Sequence, residues 1–265
     1  MRKYKIPMAK LLGVRIDDVS KEGMVMHIKK FFLDTQQKTI FTPNPEMLVA
    51  AHTHPYFSDI LNSSSLNICD GRGIEFALWR KVRRLSGIDA MLLICATAQK
   101  EGRSIYLVGS GKLVIIESAV EALRKLFPRL MVVGCHPGPQ MHVQQQKESG
   151  KKIGKLQIDK DVQTTLVHDI ILAAPDILFV GFGHEKQELW IHETLAQLPS
   201  VRVAMGVGGA FDILSGTIRR APRLLRRYGL EWLWRLLREP WRIGRIWTAV
   251  AVFPYLVWCE KLQKN

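Results

Sequence analysis

Six short loops of this 265-residue chain combine glycine or proline with polar side chains that could hold a phosphorylated sugar. They are Thr42-Pro43-Asn44-Pro45-Glu46, Asp70-Gly71-Arg72-Gly73, Gly109-Ser110-Gly111, Gly134-Cys135-His136-Pro137-Gly138, Gly181-Phe182-Gly183 and Gly206-Val207-Gly208-Gly209. Glycine-rich turns let backbone N–H groups approach phosphates at helix N-termini. Any one of them could instead serve only the tight geometry of an ordinary turn. Six in one chain favour a nucleotide or sugar-nucleotide site.

The C-terminal fifty residues, 216–265, point to a different kind of chemistry. They contain eleven Lys or Arg against three acids, which is +8 of the chain's net charge of +14, and five of its seven tryptophans. Arginines interleaved with Trp and Leu at helical spacing suit a surface that meets anionic phosphates and lipid together. Nucleic-acid binding is the competing interpretation, but contact with a phosphate backbone needs no apolar stripe. We therefore expect an anionic membrane surface, and no nucleic acid, as the partner of this appendage.

Several well-known site motifs fail in this sequence. The run Gly109-Ser110-Gly111-Lys112 is no Walker A loop, because Tyr106 and Leu113 stand where that motif needs Gly and Ser or Thr. Phe211 breaks the dinucleotide-binding glycine pattern that begins at Gly206. Asp159-Lys160-Asp161 has the Asp-x-Asp form of metal-dependent sugar transferases, but it follows a polar stretch rather than a buried strand. We expect no metal site and no cofactor.

The remaining composition limits where the protein works. No segment has the roughly 18–20 apolar residues of a spanning helix, and the nearest, 246–258, is interrupted by Thr248 and Pro254. The N-terminus lacks the continuous apolar run of a secretory leader. The four cysteines show no paired spacing, which is typical of free thiols in a reducing compartment. The sequence predicts a cytoplasmic protein that is at most peripheral to a membrane.

The loops lie between apolar strand candidates and amphipathic helix candidates that alternate along the chain. Strands are predicted over 38–42, 66–69, 104–109, 130–134, 176–181 and 201–207, and helices from 45 into the fifties and over 73–81, 91–100, 113–127, 161–173 and 187–198. This order predicts an α/β, Rossmann-like fold: a mostly parallel sheet with helices on both faces and ligands at the carboxyl ends of the strands. We expect an α/β catalytic domain over 1–215, a helical basic appendage over 216–265, and a solvated loop or mobile insertion over the polar segment 140–161.

Read together, the loops resemble those of the WecG/TagA/CpsF family of bacterial glycosyltransferases. The matching pieces are Thr42-Pro43-Asn44-Pro45-Glu46, Cys69-Asp70-Gly71-Arg72-Gly73, Arg84-Leu85-Ser86-Gly87-Ile88-Asp89, Val108-Gly109, Lys186-Gln187-Glu188, Gly206-Val207-Gly208-Gly209-Ala210-Phe211-Asp212, Arg220-Ala221-Pro222-Arg223 and Leu230-Glu231-Trp232-Leu233-Trp234-Arg235-Leu236-Leu237. Their order and spacing hold over roughly Leu11 to Arg245. No single piece is decisive, but the set is specific.

The resemblance implies an activity and its partners. Members of the family transfer a sugar, typically N-acetylmannosamine or its uronic acid, from a UDP donor to N-acetylglucosamine linked to a polyprenyl diphosphate. They invert the anomeric centre and need no metal, and they serve cell-envelope polysaccharides. By resemblance this chain is a peripheral enzyme on the inner face of the bacterial plasma membrane. The alternatives are a different donor such as UDP-glucose, or a non-catalytic, membrane-docked protein that binds a sugar nucleotide; a homo-oligomer also remains open.

The resemblance also assigns roles at the reacting sugar. An inverting transfer needs a carboxylate that takes the proton of the attacking hydroxyl, and Asp70 is the candidate by resemblance and by its position after a strand. Thr42 and Asn44 would orient sugar hydroxyls beside it. The competing interpretations are a helix N-cap for Asp70 and turn chemistry around Pro43 and Pro45 for Thr42 and Asn44.

Further residues are expected to bind substrates. By resemblance, these are Arg84 for a diphosphate or the acceptor, Gln187 for the donor sugar, Gly109, Gly208, Gly209 and Asp212 for the nucleotide, and Arg235, Arg242 and Arg245 for the departing UDP. Surface charge is the alternative for Arg84, helix capping for Asp212, and lipid contact or a solvated basic face for the appendage arginines. These three arginines would share one face if the helix ran unbroken, but Pro240 predicts a kink.

Three departures from the family pattern lie on the expected donor side. Gly138-Pro139-Gln140 replaces a Gly-Tyr-Phe, Glu185 stands where proline is usual, and the polar segment 140–161 is unusual. The donor sugar is therefore the property that these loops are expected to change.

Overall fold

The computed structural model describes residues 6–78, 82–148 and 151–263. A six-stranded parallel sheet in the order β4-β3-β10-β9-β5-β6 forms its centre, and two antiparallel hairpins, β1-β2 and β7-β8, lie beside it. The strands are β1 Met8–Leu11, β2 Val14–Asp17, β3 Lys38–Phe41, β4 Leu66–Asn67, β5 Ser104–Gly109, β6 Met131–His136, β7 Met141–Glu148, β8 Lys151–Ile158, β9 Ile177–Gly181 and β10 Val203–Gly206.

Helices cover both faces of the sheet. They are α1 Lys21–Leu33, α2 Pro45–Thr53, α3 Pro55–Ser63, α4 Arg72–Ala77, α5 Gly87–Glu101, α6 Leu113–Leu126, α7 Lys160–Ala173, α8 Lys186–Thr194, α9 Ala210–Leu214, α10 Arg223–Tyr228, α11 Glu231–Arg238, α12 Ile243–Trp247 and α13 Phe253–Leu262. Short 3-10 helices at Leu195–Gln197 and Pro240–Arg242 and a π-helix at Thr248–Val252 complete the set.

The middle strands explain the layered core. Every residue of β5, β9 and β10 is buried, as expected for parallel strands covered on both faces. Side chains alternate along a strand, so Tyr106 and Val108 enter one apolar cluster while Ile105 and Leu107 enter another. The α/β fold predicted from the sequence is confirmed.

Some predicted elements need correction. The segment 140–161 is not a loop: β7 and β8 pair in register from Met141 opposite Ile158 to Glu148 opposite Lys151. Its polar composition concealed an alternating pattern in which Met141 and Leu156 are buried. The helix predicted over 73–81 ends at Ala77, and positions 79–81 lie outside the described residues. The hairpin β1-β2 and helix α1 were not predicted.

The appendage packs onto the rest of the chain. Phe253 and Val257 of α13 belong to a core cluster that also contains residues of β5 and β9, and the Leu12 N–H donates to Glu260 at 3.1 Å. Helix α13 is therefore continuous in packing with the sheet domain. Among the described residues, none of the helices combines the length and the apolarity of a membrane span.

Candidate active site

A cleft of about 1090 Å³ opens at the carboxyl ends of the parallel strands, where ligands bind in open α/β sheets. All six loops singled out in the sequence contribute to its lining, and the appendage forms the opposite wall through α11, α12 and α13. The size suits a nucleotide sugar together with part of a second substrate.

Asp70 lies where β4 meets α4, and its carboxylate faces the start of α5. Gly87 N–H donates to Asp70 Oδ2 at 3.2 Å, and a Cβ at Gly87 would lie 3.2 Å from Thr42 Oγ1 and 3.7 Å from Asp70 Oδ2. Glycine at position 87 therefore avoids a tight contact with Thr42. Asp70 does not cap α4: the N-cap residue is Gly71, and no side chain accepts a hydrogen bond from the first turn of this helix. Burial raises the pKa of Asp70 to about 6, against the lowering effect of the Gly87 N–H, which suits a base near neutral pH.

Thr42 and Asn44 line the cleft beside Asp70. Thr42 is buried, and its hydroxyl makes no hydrogen bond among the described residues, so that it is available to a ligand. Asn44 Oδ1 accepts from Met47 N–H at 3.0 Å and caps α2, whose first residue is Pro45. The turn interpretation therefore holds for the Asn44 oxygen, while its amide nitrogen can still donate into the cleft.

Gln187 holds the last glycine loop in place. Its side-chain oxygen accepts from Gly208 N–H at 2.8 Å, and its Nε2 donates to Glu188 Oε1 at 2.7 Å. A Cβ at Gly206 would lie 2.7 Å from Gln187 Nε2, so glycine at this position leaves room for the Gln187 side chain to pack against the backbone of β10. Gln187 is buried but still lines the cleft.

Glu188 is a residue that sequence reasoning missed. Its side chain is fully buried, and Oε2 has no hydrogen-bond partner among the described residues. Burial raises its pKa to about 7, although the hydrogen bond from Gln187 acts in the opposite direction. The Lys-Gln-Glu run was the available signal, but only the structure places this carboxyl behind Gln187.

We expect Glu188→Gln to stabilise the protein more at pH 8 than at pH 5. A carboxyl whose pKa is raised from 4.5 to about 7 in the folded state contributes stability below 4.5 that is lost as the pH rises through about 7. The amide has no charge to bury, so its relative gain should be on the order of 2 kcal/mol above pH 7. Melting temperatures at both pH values measure this. Glu121→Gln, at an exposed position of α6, is the control; equal shifts for Glu188→Gln at both pH values would contradict the assignment.

The glycines and Asp212 expected at the nucleotide divide into two groups. Gly208, Gly209 and Asp212 line the cleft, and Asp212 lies inside α9, so it is not that helix's cap. Burial raises the pKa of Asp212, while Arg242 and Arg235 lower it, which places both cations near it. Gly109 does not line the cleft: a Cβ there would lie 2.6 Å from the Gly181 backbone, so it packs β5 against β9 instead.

The four predicted arginines all line the cleft but differ in their partners. Arg84 Nη1 pairs with Glu231 at 3.0 Å, so it ties the appendage to the sheet domain rather than being a surface charge. Arg245 pairs with Glu46 at 2.7 Å, and Arg242 with Glu239 at 2.9 Å. The side chain of Arg235 forms no hydrogen bond or ion pair among residues 6–78, 82–148 and 151–263.

The appendage arginines do not share a continuous helix. Helix α11 ends at Arg238, before Pro240, and Arg242 and Arg245 follow in the 3-10 helix and α12. The turn at Pro240, rather than an unbroken helical face, brings all three into the cleft.

Two cationic side chains, Arg220 and Lys186, were also missed by sequence reasoning. Arg220 donates to Asp89 Oδ2 at 2.7 Å and to Ser86 Oγ at 3.1 Å, which ties the segment before α10 to the start of α5. Lys186 lines the cleft beside His184. Burial and the adjacent Arg245 lower the pKa of His184, so this ring is neutral near pH 7.

The Asp-x-Asp run lies outside the cleft. Asp159 caps α7, with its Oδ1 accepting from Asp161 N–H at 3.0 Å. In the described part of the chain, no three His, Cys, Asp or Glu side chains cluster closely enough to hold a metal ion.

Comparison with known proteins places this site in a family. The model of the family described as "Glycosyl transferase WecG/TagA/CpsF family" matches residues 9–265 of this chain. Two similar proteins, from Staphylococcus aureus strains MW2 and NCTC 8325 / PS 47, are each 31% identical over 253 residues, which is 93% of this chain and 91% of the relative. Both bear the name N-acetylglucosaminyldiphosphoundecaprenol N-acetyl-beta-D-mannosaminyltransferase. The match spans nearly the whole chain, and the chain therefore belongs to the WecG/TagA/CpsF family of glycosyltransferases.

Proposed function

We propose that the protein transfers N-acetylmannosamine from a UDP donor to N-acetylglucosamine on a polyprenyl diphosphate, in the synthesis of a cell-envelope polysaccharide. The observation that carries the proposal is the pairing of Asp70 and Thr42 on one side of the cleft with the appendage arginines on the other. The names of the relatives, which specify an acceptor of this kind, support the same substrates.

In the proposed reaction, a hydroxyl of the acceptor sugar attacks the anomeric carbon of the donor. The new C–O bond forms as the bond from that carbon to the UDP oxygen breaks, and Asp70 accepts the hydroxyl proton. Thr42 and Asn44 hold the reacting sugars in line. For an α-linked donor, the β-linked product in the relatives' name requires one displacement with inversion.

The departing UDP carries negative charge that must be offset. Arg235, Arg242 and Arg245 face the cleft, and guanidinium groups bind diphosphate in a bidentate manner. Gly209 supplies a backbone N–H group beside them, on the loop that Gln187 fixes by accepting from the Gly208 N–H. We propose that these groups replace a divalent cation, so that transfer needs no added metal.

The test is release of UDP from a panel of UDP-sugars with a soluble GlcNAc-diphosphate-lipid acceptor, with and without EDTA. We expect acceptor-dependent release from UDP-N-acetylmannosamine that EDTA does not reduce. Release from UDP-glucose alone would assign the change of donor to the loops at 138–140 and 183–186, where Glu185 has a positive φ of 68°. No release from any donor would favour a non-catalytic binding protein.

We also propose that the domain over 1–215 performs catalysis and that the appendage over 216–265 both completes the site and docks it on the inner face of the plasma membrane. Large apolar side chains of the appendage are exposed, namely Leu224, Tyr228, Trp232, Leu237, Trp241, Ile243, Trp247, Tyr255 and Trp258. They lie among the arginines, and this mixture favours an anionic interface.

Replacing both Trp241 and Trp247 with serine should weaken binding to anionic vesicles at least tenfold, because both indole rings can be buried in the membrane interface. The two residues are 75% and 65% exposed, so the melting temperature should not change. Sedimentation with vesicles containing anionic lipid measures the effect, and Leu172→Ser on α7 is the control. Undiminished binding by the double variant would exclude this face as the docking surface.

A further inference from the structure

One arm of the cleft is apolar and leads away from the reacting groups. It runs between α4 and α13 and is lined by Phe76, Ala77, Pro254, Val257 and Trp258, by Val250 of the π-helix that precedes α13, and by Lys261 on the same face of α13. Beneath it, Phe253 is buried, and a Cβ at Gly73 would lie 3.5 Å from the Phe253 ring. Among these side chains, only the Trp258 indole and the Lys261 ammonium carry hydrogen-bonding groups. We refer to this arm as the α4–α13 groove.

The two helices present one face each to the groove. On α13, residues 254, 257, 258 and 261 are three, four and seven positions apart, so they share a helical face, and all four line the cleft. On α4, Arg72 and Phe76 are four residues apart and likewise share a face, with Phe76 about 6 Å farther along the axis. The groove therefore begins beside the Asp70–Arg72 turn and ends at large aromatic rings.

The outer end of the groove meets the exposed surface of the appendage. Phe76 is 77% exposed and Trp258 is 59% exposed, whereas Val257 in the groove wall is buried. The groove thus connects the polar floor of the cleft with the apolar face that we propose to dock on lipid. Surface contact with a bilayer alone would not require a lined channel between the two.

Cationic groups lie at the inner end. Arg235 is close enough to Asp70 to lower the pKa of that carboxyl. Arg72, the first residue of α4, also lines the cleft, and its guanidinium donates to Glu75 at 2.8 Å and to the Arg227 carbonyl at 2.7 Å. A diphosphate held between the sugar and an apolar chain would meet positive charge on one side and the apolar groove on the other. This order of charge and apolar surface fits the proposed acceptor, a diphosphate attached to an apolar chain.

We propose that the α4–α13 groove binds the first isoprene units of the acceptor's polyprenyl chain. This inference rests on the proposed function, because it names the position of one of its substrates. The enzyme then draws the diphosphate end of the lipid out of the membrane surface along the groove, which brings the acceptor sugar to Asp70. The chain contributes to acceptor affinity by burial against Phe76 and Val257.

The groove can be tested without membranes and without turnover. Calorimetry on the full chain compares the affinity for farnesyl diphosphate, which has three isoprene units, with that for methyl diphosphate. We expect farnesyl diphosphate to bind at least tenfold more tightly. Phe76→Ser should lower the affinity for farnesyl diphosphate about tenfold and leave the affinity for methyl diphosphate unchanged. Leu172→Ser, at a position that is 70% exposed on α7, is the matched control and should change neither affinity.

Equal affinity for the two diphosphates, or an equal loss for both in Phe76→Ser, would overturn the proposal. A second measurement is the KM for GlcNAc-diphosphate acceptors that carry a methyl group or three isoprene units. The groove predicts a lower KM for the isoprenyl acceptor and a selective rise in Phe76→Ser. Tight binding of farnesyl diphosphate without transfer to either acceptor would contradict the proposed transferase activity and leave the groove as a prenyl-diphosphate site.

Discussion

Replacing Asp70 with asparagine should lower kcat about a thousandfold and leave the fold intact. The amide cannot accept the proton of the attacking hydroxyl, and loss of a general base typically costs two to four orders of magnitude. Its side-chain oxygen can still accept from the Gly87 N–H, which is the contact that Asp70 Oδ2 makes at 3.2 Å. The start of α5 should therefore keep its position. Steady-state kinetics with a saturating UDP donor and melting curves measure the two parts of this expectation.

The pH profile gives a second check on the same residue. Burial raises the pKa of Asp70 to about 6, and a base must be deprotonated to act, so kcat/KM should rise with pH up to about 6 and then level off. Asp159→Asn, which alters a carboxylate that caps α7 outside the cleft, should keep both the rate and this profile. Near-normal turnover by Asp70→Asn, or the same ascending limb in its residual activity, would exclude Asp70 as the base.

The layered fold was largely predictable because its signals are local. A short continuous apolar run between turn residues, such as 104–109, is typical of a buried strand in a parallel sheet. The hairpin β7-β8 was not predictable in this way. Its residues are mainly polar, and the few apolar ones become informative only once Met141 faces Ile158 across the pair. Pairing of this kind is a relation between distant positions that composition does not contain.

The cleft was predictable as a set of loops, but the roles of single residues depend on approach distances. Gly109 and Gly208 look alike in the sequence, yet Gly109 packs against the Gly181 backbone and Gly208 faces the cleft. Glu188 follows Gln187 directly and both are buried, but Gln187 lines the cleft whereas Glu188 lies behind it. Resemblance named the motif, and packing divides its residues into those that can touch substrate and those that position them.

The same packing changes how the appendage should be tested. Truncation at Gly216 would remove Phe253 and Val257 from the core cluster and the partner of the Leu12 N–H. Burial of two such side chains stabilises the fold by several kcal/mol, so lost activity in the truncated chain would not separate catalysis from folding. Single substitutions that keep the appendage folded are the informative experiment.

Arg235→Ala should lower kcat about a hundredfold or more, with little change in stability or in the KM for the donor. Arg242 and Arg245 are each paired with a glutamate, at 2.9 and 2.7 Å, whereas the Arg235 side chain has no such partner among the described residues. Its full charge is therefore available to the departing diphosphate, and removal of one such donor costs about two to three orders of magnitude. Because the charge on UDP develops only as the bond breaks, the loss should appear in kcat.

Arg238 supplies the matched control for this substitution. It lies three residues along the same helix, outside the cleft, with its guanidinium 4.9 Å from the centre of the Trp234 ring. Arg238→Ala removes the same charge from α11, so an effect on kcat from the net charge of the appendage would appear in both variants. If the two variants lose activity equally, the arginines act through the membrane or the overall field. If only Arg235→Ala does, in a soluble assay without vesicles, the appendage contributes a group to the reaction itself.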